Sequence, residues 1–538
     1  MTNGLGLGDA YSATLGRIKG QSGEKARLGM AALMWILHAE RPLKSDELRC
    51  ALAVEIGSAN INADNIPSIG TLLACCQGLI VVEKEASTVR LIHFTLQEYL
   101  RAHSELFGAA HSTMAETCLS YLNSQQVKDL SASPSPDPLS TPFLEYSSLY
   151  WGVHAKRELS NCAKLLALKL FDGCNNHMPI KILLRAQGKY LYPLNPDKIS
   201  SFTGLHWASV FGIVEIVVGL VEVEGCDINQ EDYTGNAPLA WAAYNGHEGV
   251  VEILLGRGDL DPDKPDNDGL TPLWCAAQNG HHRVVKTLLG RGGINPNKPG
   301  WYGQTPLCRA WNGNERVVGM LLARRDVSPG KPDNDGRTPL WCGAQNGHKG
   351  VVKMLLERGD VNPDKPGSRG RTPLCCAAEN GHEGVVKILL GRGGVNPDKP
   401  DHDGRTPLWC AAQNGHIGMA KMLLEQCNVN PGKPDNNGET PLFPAAWNGH
   451  AGVVKILLGR GDVNPDKPDN DGLTPLWCAA QNGHEEVVKI LLGRGDVNPN
   501  KLDNRGRTPL WCAAKRGHAG VVALLQPLES ATHTSKAE

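Results

Sequence analysis

One tripeptide recurs in this chain with an almost fixed step. Thr-Pro-Leu begins at Thr271, Thr305, Thr338, Thr372, Thr406, Thr440, Thr474 and Thr508, and degenerate versions begin at Thr203 and Ala237. The step is 34 residues, except for 33 between Thr305 and Thr338. A unit this small cannot bury its own apolar face, so stacked neighbours must bury it. The stretch from about Ser200 to Gln526 is therefore a solenoid of ten units.

The units share an internal logic. In Thr271-Pro272-Leu273-Trp274-Cys275-Ala276-Ala277 the threonine is an N-cap, and proline takes the first helical position, where its missing N–H costs nothing. The alanine pair gives a thin first helix. Asn279-Gly280-His281 turns the chain. Val284, Val285, Leu288 and Leu289 then put one apolar stripe on a second helix, which Gly290-Arg291-Gly292 ends. Asn295-Pro296-Asn297-Lys298-Pro299 is too proline-rich to be helical and leads as an extended finger to a turn at Gly303.

Thr-Pro-Leu-x-x-Ala-Ala, Asn-Gly-His, Val-Val-x-x-Leu-Leu and Asp-Val-Asn, in that order and repeatedly, resemble the ankyrin family. The tetratricopeptide pattern of similar period is absent. The family usually has histidine after Thr-Pro-Leu, whereas Trp274, Trp341, Trp409, Trp477 and Trp511, or Cys308, Cys375 and Phe443, stand there in these copies. Helix pairs about 8–10 Å apart would make ten copies a rod of roughly 80–100 Å.

At 538 residues the chain is long enough for several domains, and a net charge of −2 gives no sign of a polyanionic partner. Sixteen cysteines without a signal peptide are expected to be reduced thiols of a cytoplasmic protein, with a nuclear setting left open. No apolar run approaches the length of a membrane span.

Residues 1–22, glycine-rich and polar, are expected to be a flexible end. Residues 24–40 should be helical, with Leu28, Ala31, Ala32 and Trp35 on one face. A second helix should follow Ser45 and a third should span 67–77. Leu79–Val82 and Ser87–Phe94 should form a hairpin before a helix over 95–106. Three helices and a hairpin make a winged helix. Its third helix would have to read DNA, yet Asn65 to Val82 carries no charged residue, which disfavours nucleic acid.

Leu33-Met34-Trp35, Arg41-Pro42-Leu43, the run from Leu72 to Leu79 and the run from Arg90 to Leu100 resemble a further family. This is the winged helix that follows the NACHT NTPase in fungal NLR-like receptors, catalogued also as the GPI inositol-deacylase type. The resemblance implies an order of NACHT, winged helix, helical connector and ankyrin array, and a histidine at His93 that touches nucleotide phosphate. The chain has no G-x-x-x-x-G-K-[ST] to cradle that phosphate, so His93 is expected to cap or pack locally. The expected layout is a flexible end over 1–22, winged helix over 23–108, connector over 109–198 with a Ser/Pro loop, array over 199–527 and disordered tail over 528–538. Connector helices are expected over 111–123, 141–153, 159–171 and 180–186, shielding the first copy.

Cysteine and histidine recur together (Cys275 with His281, Cys342 with His348, Cys410 with His416, Cys478 with His484, Cys512 with His518), but a nucleophile is singular and a metal site needs converging ligands. The acidic fingers lack the order of a calcium loop, and their lysines suggest solvated, self-compensated turns. No cofactor or metal is implied. More telling are departures from the pattern. The slot before Asn-Gly is commonly Gln or Glu, but holds Tyr244, Trp311, Trp447 and Lys515 in four copies; the fingertips depart at Trp301, Tyr302, Arg369 and His402. Aromatics and arginine dominate interface energetics, so these eight are the candidate partner-binding residues, with repacking between copies as the other explanation. The expected function is a scaffold or sensor arm without catalysis, gripping an unknown protein. One alternative is the recognition half of a NACHT-type receptor, split or truncated from an NTPase in cis or trans; a winged-helix nucleic-acid regulator is a weaker one.

Overall fold

A computed structural model describes residues 6–83, 85–130, 141–172, 179, 182, 201–310, 313–426 and 429–534. The chain divides into two compact units, 1–267 and 268–538. It is mostly helical, with the ankyrin helix pairs following an N-terminal winged helix.

The first unit starts with α1 (Leu7–Lys19), where a flexible end was expected. Tyr11, Thr14, Leu15 and Ile18 are buried at helical spacing, a short stripe that the glycines at 4, 6, 8 and 16 obscure in the sequence. Helix α2 (Gly23–His38) is the hub, burying Ala32, Leu33, Met34 and Trp35. Helix α3 (Ser45–Ala53) and the short α4 (Ile69–Cys75) flank it. Strands β1 (Leu43–Lys44), β2 (Ile80–Glu83) and β3 (Thr88–Leu91) pair antiparallel in the order β1-β3-β2, with Val82 opposite Val89. Helix α5 (Phe94–Ala102) closes the winged helix. Arg41 reaches the buried Glu47 with both guanidinium nitrogens, at 2.8 and 2.6 Å, and so satisfies a charge that would be costly alone.

The connector consists of α6 (Ala110–Leu122), α7 (Gln125–Asp129), α8 (Leu144–Arg157) and α9 (Asn161–Asp172). The Ser/Pro loop and most of 180–186 lie outside the described residues. Helix α8 faces two ways. At its start Phe143 and Tyr146 meet Trp35 edge-on at 5.5 and 5.9 Å, which joins it to the winged helix. Further along, Trp151 lies 4.9 Å from the Phe211 ring of the first ankyrin copy. Gly152 permits that approach, since a Cβ there would sit 2.1 Å from the Phe211 ring. Tyr146 Oη accepts from Glu40 N and contacts His154 Nε2 at 2.9 Å, so its proton goes to that nitrogen. His154 Nδ1 then donates to His111 Nδ1, 2.9 Å away. Burial pushes the His154 imidazole down to about 3, which keeps this chain of bonds neutral.

In the array, threonine N-caps form as the sequence predicts. Thr271, Thr305, Thr338, Thr372, Thr406, Thr474 and Thr508 each accept from the backbone N–H three residues on. Thr440 does not. Its helix starts later, at Leu442, because Pro444 lacks the N–H that Cys478 uses to bond Thr474 O in the next copy. Thr440 Oγ1 is left buried without a hydrogen bond. The last helix runs Ala519–Thr534 through Pro527, whereas a stop and a disordered tail were expected; one lost backbone bond does not end it.

Within the second unit, adjacent copies are strapped together. His382, His416, His450, His484 and His518 bond through Nε2 to backbone carbonyls of the preceding inner helix at 2.9–3.0 Å. Arg324, Arg358, Arg460 and Arg494 reach the last carbonyls of the preceding outer helix, where cations suit the helix dipole. The finger lysines are not merely solvated: Lys331, Lys399, Lys433 and Lys501 donate to finger carbonyls one copy back.

Tryptophan makes a fourth strap, in selected copies. Trp274 Nε1 donates to Gln304 O at 3.0 Å, and Trp341 Nε1 to Arg371 O at 2.9 Å. In both cases glycine opens the next finger turn. A Cβ on Gly300 or Gly367 would lie 3.1 or 2.9 Å from the indole nitrogen. Trp409 and Trp477, followed by Asp435 and Asp503, have buried Nε1 groups without a hydrogen bond. The family histidine does survive once, at His206. It is fully buried and contacts Asn236 O at 3.1 Å, doing in the first copy what Trp274 does in the third.

Candidate functional site

The candidate residues occupy two kinds of place. Trp301, Tyr302, Arg369 and His402 are exposed fingertips. Tyr244, Trp447 and Lys515 lie at the ends of inner helices, and Trp311 lies outside the described residues.

The fingertips are laced together. Asn436, Asn470 and Asn504 donate through Nδ2 to the fingertip carbonyl one copy back, at 2.9–3.1 Å. Backbone bonds run beside them, such as Asn334 N to Tyr302 O and His402 N to Arg369 O. Where glycine admits the indole, the turn itself changes. Tyr302 and Arg369 take φ values of 53° and 57°, in left-handed backbone that costs an ordinary residue about 1–2 kcal/mol. Trp301 and Tyr302 are then displayed stacked at 5.0 Å, 50 % and 58 % exposed. The fingers with aspartate keep a different turn, in which Asp333, Asp401, Asp435 and Asp503 are buried and accept through Oδ1 from backbone N–H groups two and four residues on.

The inner-helix positions differ from one another. Trp447 is 37 % exposed and stacks on Phe443. Tyr244 meets Trp241 edge-on at 6.4 Å. Lys515 is not free for a partner in the same way, because its ammonium lies 4.8 Å over the Trp511 ring of its own copy.

The repeated Cys–His pairs have no shared chemistry. His416, His484 and His518 are engaged as straps. Burial pushes the Cys478 and Cys512 thiols upward, away from nucleophilic character. Among the described residues no group of His, Cys, Asp or Glu could hold a metal ion, and no helix is long and apolar enough to cross a membrane. His93 caps α5: its Nδ1 accepts from Thr95 N at 3.2 Å and lies 2.8 Å from Thr95 Oγ1. Next to it is a groove of about 750 Å³ lined by Arg41, Arg90, Arg101, Ile92 and the exposed Phe94.

Sequence reasoning missed the row of residues just before each N-cap, which meets the buried turn aspartates. That signal becomes visible only when each copy is laid against the next. Comparison with known families gives two matches. The GPI inositol-deacylase winged helix domain matches residues 18–110. Ankyrin repeats match in overlapping blocks from 157 to 536. Among curated proteins no match was found. A fold of helix pairs strapped copy to copy, with a family match over well above half its length, places the chain in the ankyrin-repeat family.

Proposed function

We propose that the chain is a recognition arm that holds a protein partner against the positions where its copies differ, with no chemistry of its own. One observation carries this reading. The residues that join the copies repeat along the array, whereas Trp301 and Tyr302 are particular to one fingertip and stand exposed and stacked there, Tyr302 in left-handed backbone. Exposed, stacked aromatics on rigid backbone anchor interfaces with little entropy loss. The test is the double substitution Trp301→Asn with Tyr302→Asp, which installs residues that other fingertips carry. Proteins retained by the immobilised chain should be lost from this variant while its melting temperature stays within a few degrees. Unchanged capture would refute the reading.

The winged helix favours a second, more specific role. In the NLR-like order that the sequence resemblance implies, it would couple the arm to a switch domain, in cis or in trans. The groove beside His93, with Phe94 64 % and Ile92 47 % exposed, offers a surface for such a domain. Phe94→Ser should weaken a complex with a candidate NTPase domain and leave array binding untouched.

A further inference from the structure

The residue after each Thr-Pro-Leu meets the residue one place further on in the following copy, and the side chains there answer one another. Arg309 lies over the Trp274 ring at 5.4 Å. Trp341 shares a buried cluster with Cys376, and Phe443 shares one with Cys478. In two copies the first of these places holds cysteine, Cys308 and Cys375. The following copy then answers with cysteine as well. Cys308 Sγ lies 3.9 Å from Cys342 Sγ, and the Cys375 sulfur takes a hydrogen bond from the Cys410 thiol. The first pair is closed off from solvent, with Cys308 0 % and Cys342 4 % exposed.

The joint between the fourth and fifth copies also lacks a strap that its neighbours have. Gln304 O and Arg371 O, each just before an N-cap, accept from the indoles of Trp274 and Trp341. In the corresponding place Arg337 O meets the Cys308 thiol at 4.0 Å, and a thiol is a weak donor. The inner helix of the fourth copy is short as well, Pro306–Arg309, where those on either side run Pro272–Gln278 and Pro339–Gln345. Fewer backbone bonds let a segment open more readily. Such opening gives a small oxidant a way to sulfurs that packing otherwise covers.

We propose that the joint between the fourth and fifth copies is a thiol modification site, at which hydrogen peroxide links Cys308 to Cys342. The bond to Cys342 first, and burial second, push the Cys308 thiol well above its ordinary value. Cys308 therefore keeps its proton, and Cys342 reacts first. Its thiolate attacks peroxide: an S–O bond forms, the O–O bond breaks, and the departing hydroxide becomes water with the proton that Cys342 has shed. Cys308 then attacks the sulfenic sulfur. The S–S bond forms, the S–O bond breaks, and a second water leaves with the Cys308 proton. Two thiols lose two electrons and peroxide takes them up. Contact at 3.9 Å makes the second step intramolecular, and small rotations about the two Cα–Cβ bonds close the remaining gap. The link closes a loop through the outer helix and finger of the fourth copy, a covalent strap where the indole strap is missing.

The experiment treats the reduced full chain with hydrogen peroxide, alkylates the remaining thiols and maps the peptides by mass spectrometry. The folded protein should yield a cross-link between Cys308 and Cys342, and dithiothreitol should remove it. Hydrogen exchange over residues 313–345 should slow severalfold in the linked protein and recover after reduction. Cys308→Ser should leave Cys342 as a sulfenic acid that dimedone traps, whereas Cys342→Ser should leave Cys308 a free thiol. The mapping on the unsubstituted chain decides by itself should either variant fold poorly. Both cysteines recovered as free thiols, links from either to Cys376 or another cysteine instead, a link that forms only in urea, or exchange that does not slow would each overturn the proposal.

Discussion

The winged-helix region and the ankyrin array solve the burial problem in opposite ways. Around Trp35 every contact is singular: one tryptophan against Phe143 and Tyr146, one arginine on one buried glutamate. In the array the same strap is made again and again between adjacent copies, by His382, His416, His450, His484 and His518. Singular contacts make a region fail as a whole, whereas repeated ones confine failure to a neighbourhood. It follows that an irregular residue is unremarkable near α2 but informative in the array.

The sharpest way to break this contrast is Trp35→Ala. It should cost about 3–5 kcal/mol and unfold the winged-helix region as one, with hydrogen exchange in residues 268–526 unchanged. Val386→Asp places a charge at a fully buried mid-array position and should cost about 3 kcal/mol or more. It should also split array unfolding into two calorimetric transitions; a single unaltered transition would contradict nearest-neighbour stacking. Thr474→Ala removes a working cap and should cost about 1 kcal/mol. Thr440→Ala removes a hydroxyl that bonds nothing and should cost close to zero in the same denaturant titration. A last test concerns pH. Glu439 has a folded pKa raised above its unfolded value, so the folded state holds the proton longer. Stability therefore falls as pH rises from about 4.5 through about 7, by on the order of 1 kcal/mol after solvent screening. Glu439→Gln should flatten that slope.

Much of the fold was legible because the period, the Thr-Pro cap and the Asn-Gly-His turn each specify local geometry independently of context. Tyr11, Leu15 and Ile18 were harder to read, since the glycines before and among them weaken a pattern that only burial against neighbouring helices makes meaningful. Pro444 was visible but its effect was not, because the carbonyl it deprives belongs to a residue, Thr440, that looks identical to seven working caps. The candidate surface was half legible. Trp301, Tyr302 and Trp447 declared themselves by breaking the pattern. Lys515 broke the pattern too, yet Trp511 occupies it.

The pairing of an indole with a glycine-bearing turn has an evolutionary consequence. Near-identical units invite recombination, and any crossover that keeps the period also keeps the helices in register. Yet moving the unit of Trp274 ahead of a turn that starts with aspartate would strand its N–H, as at Trp409 and Trp477, at a cost of about 1–3 kcal/mol for each buried group. Exchange of units therefore keeps the helices in register but changes how many indole N–H groups stay unbonded.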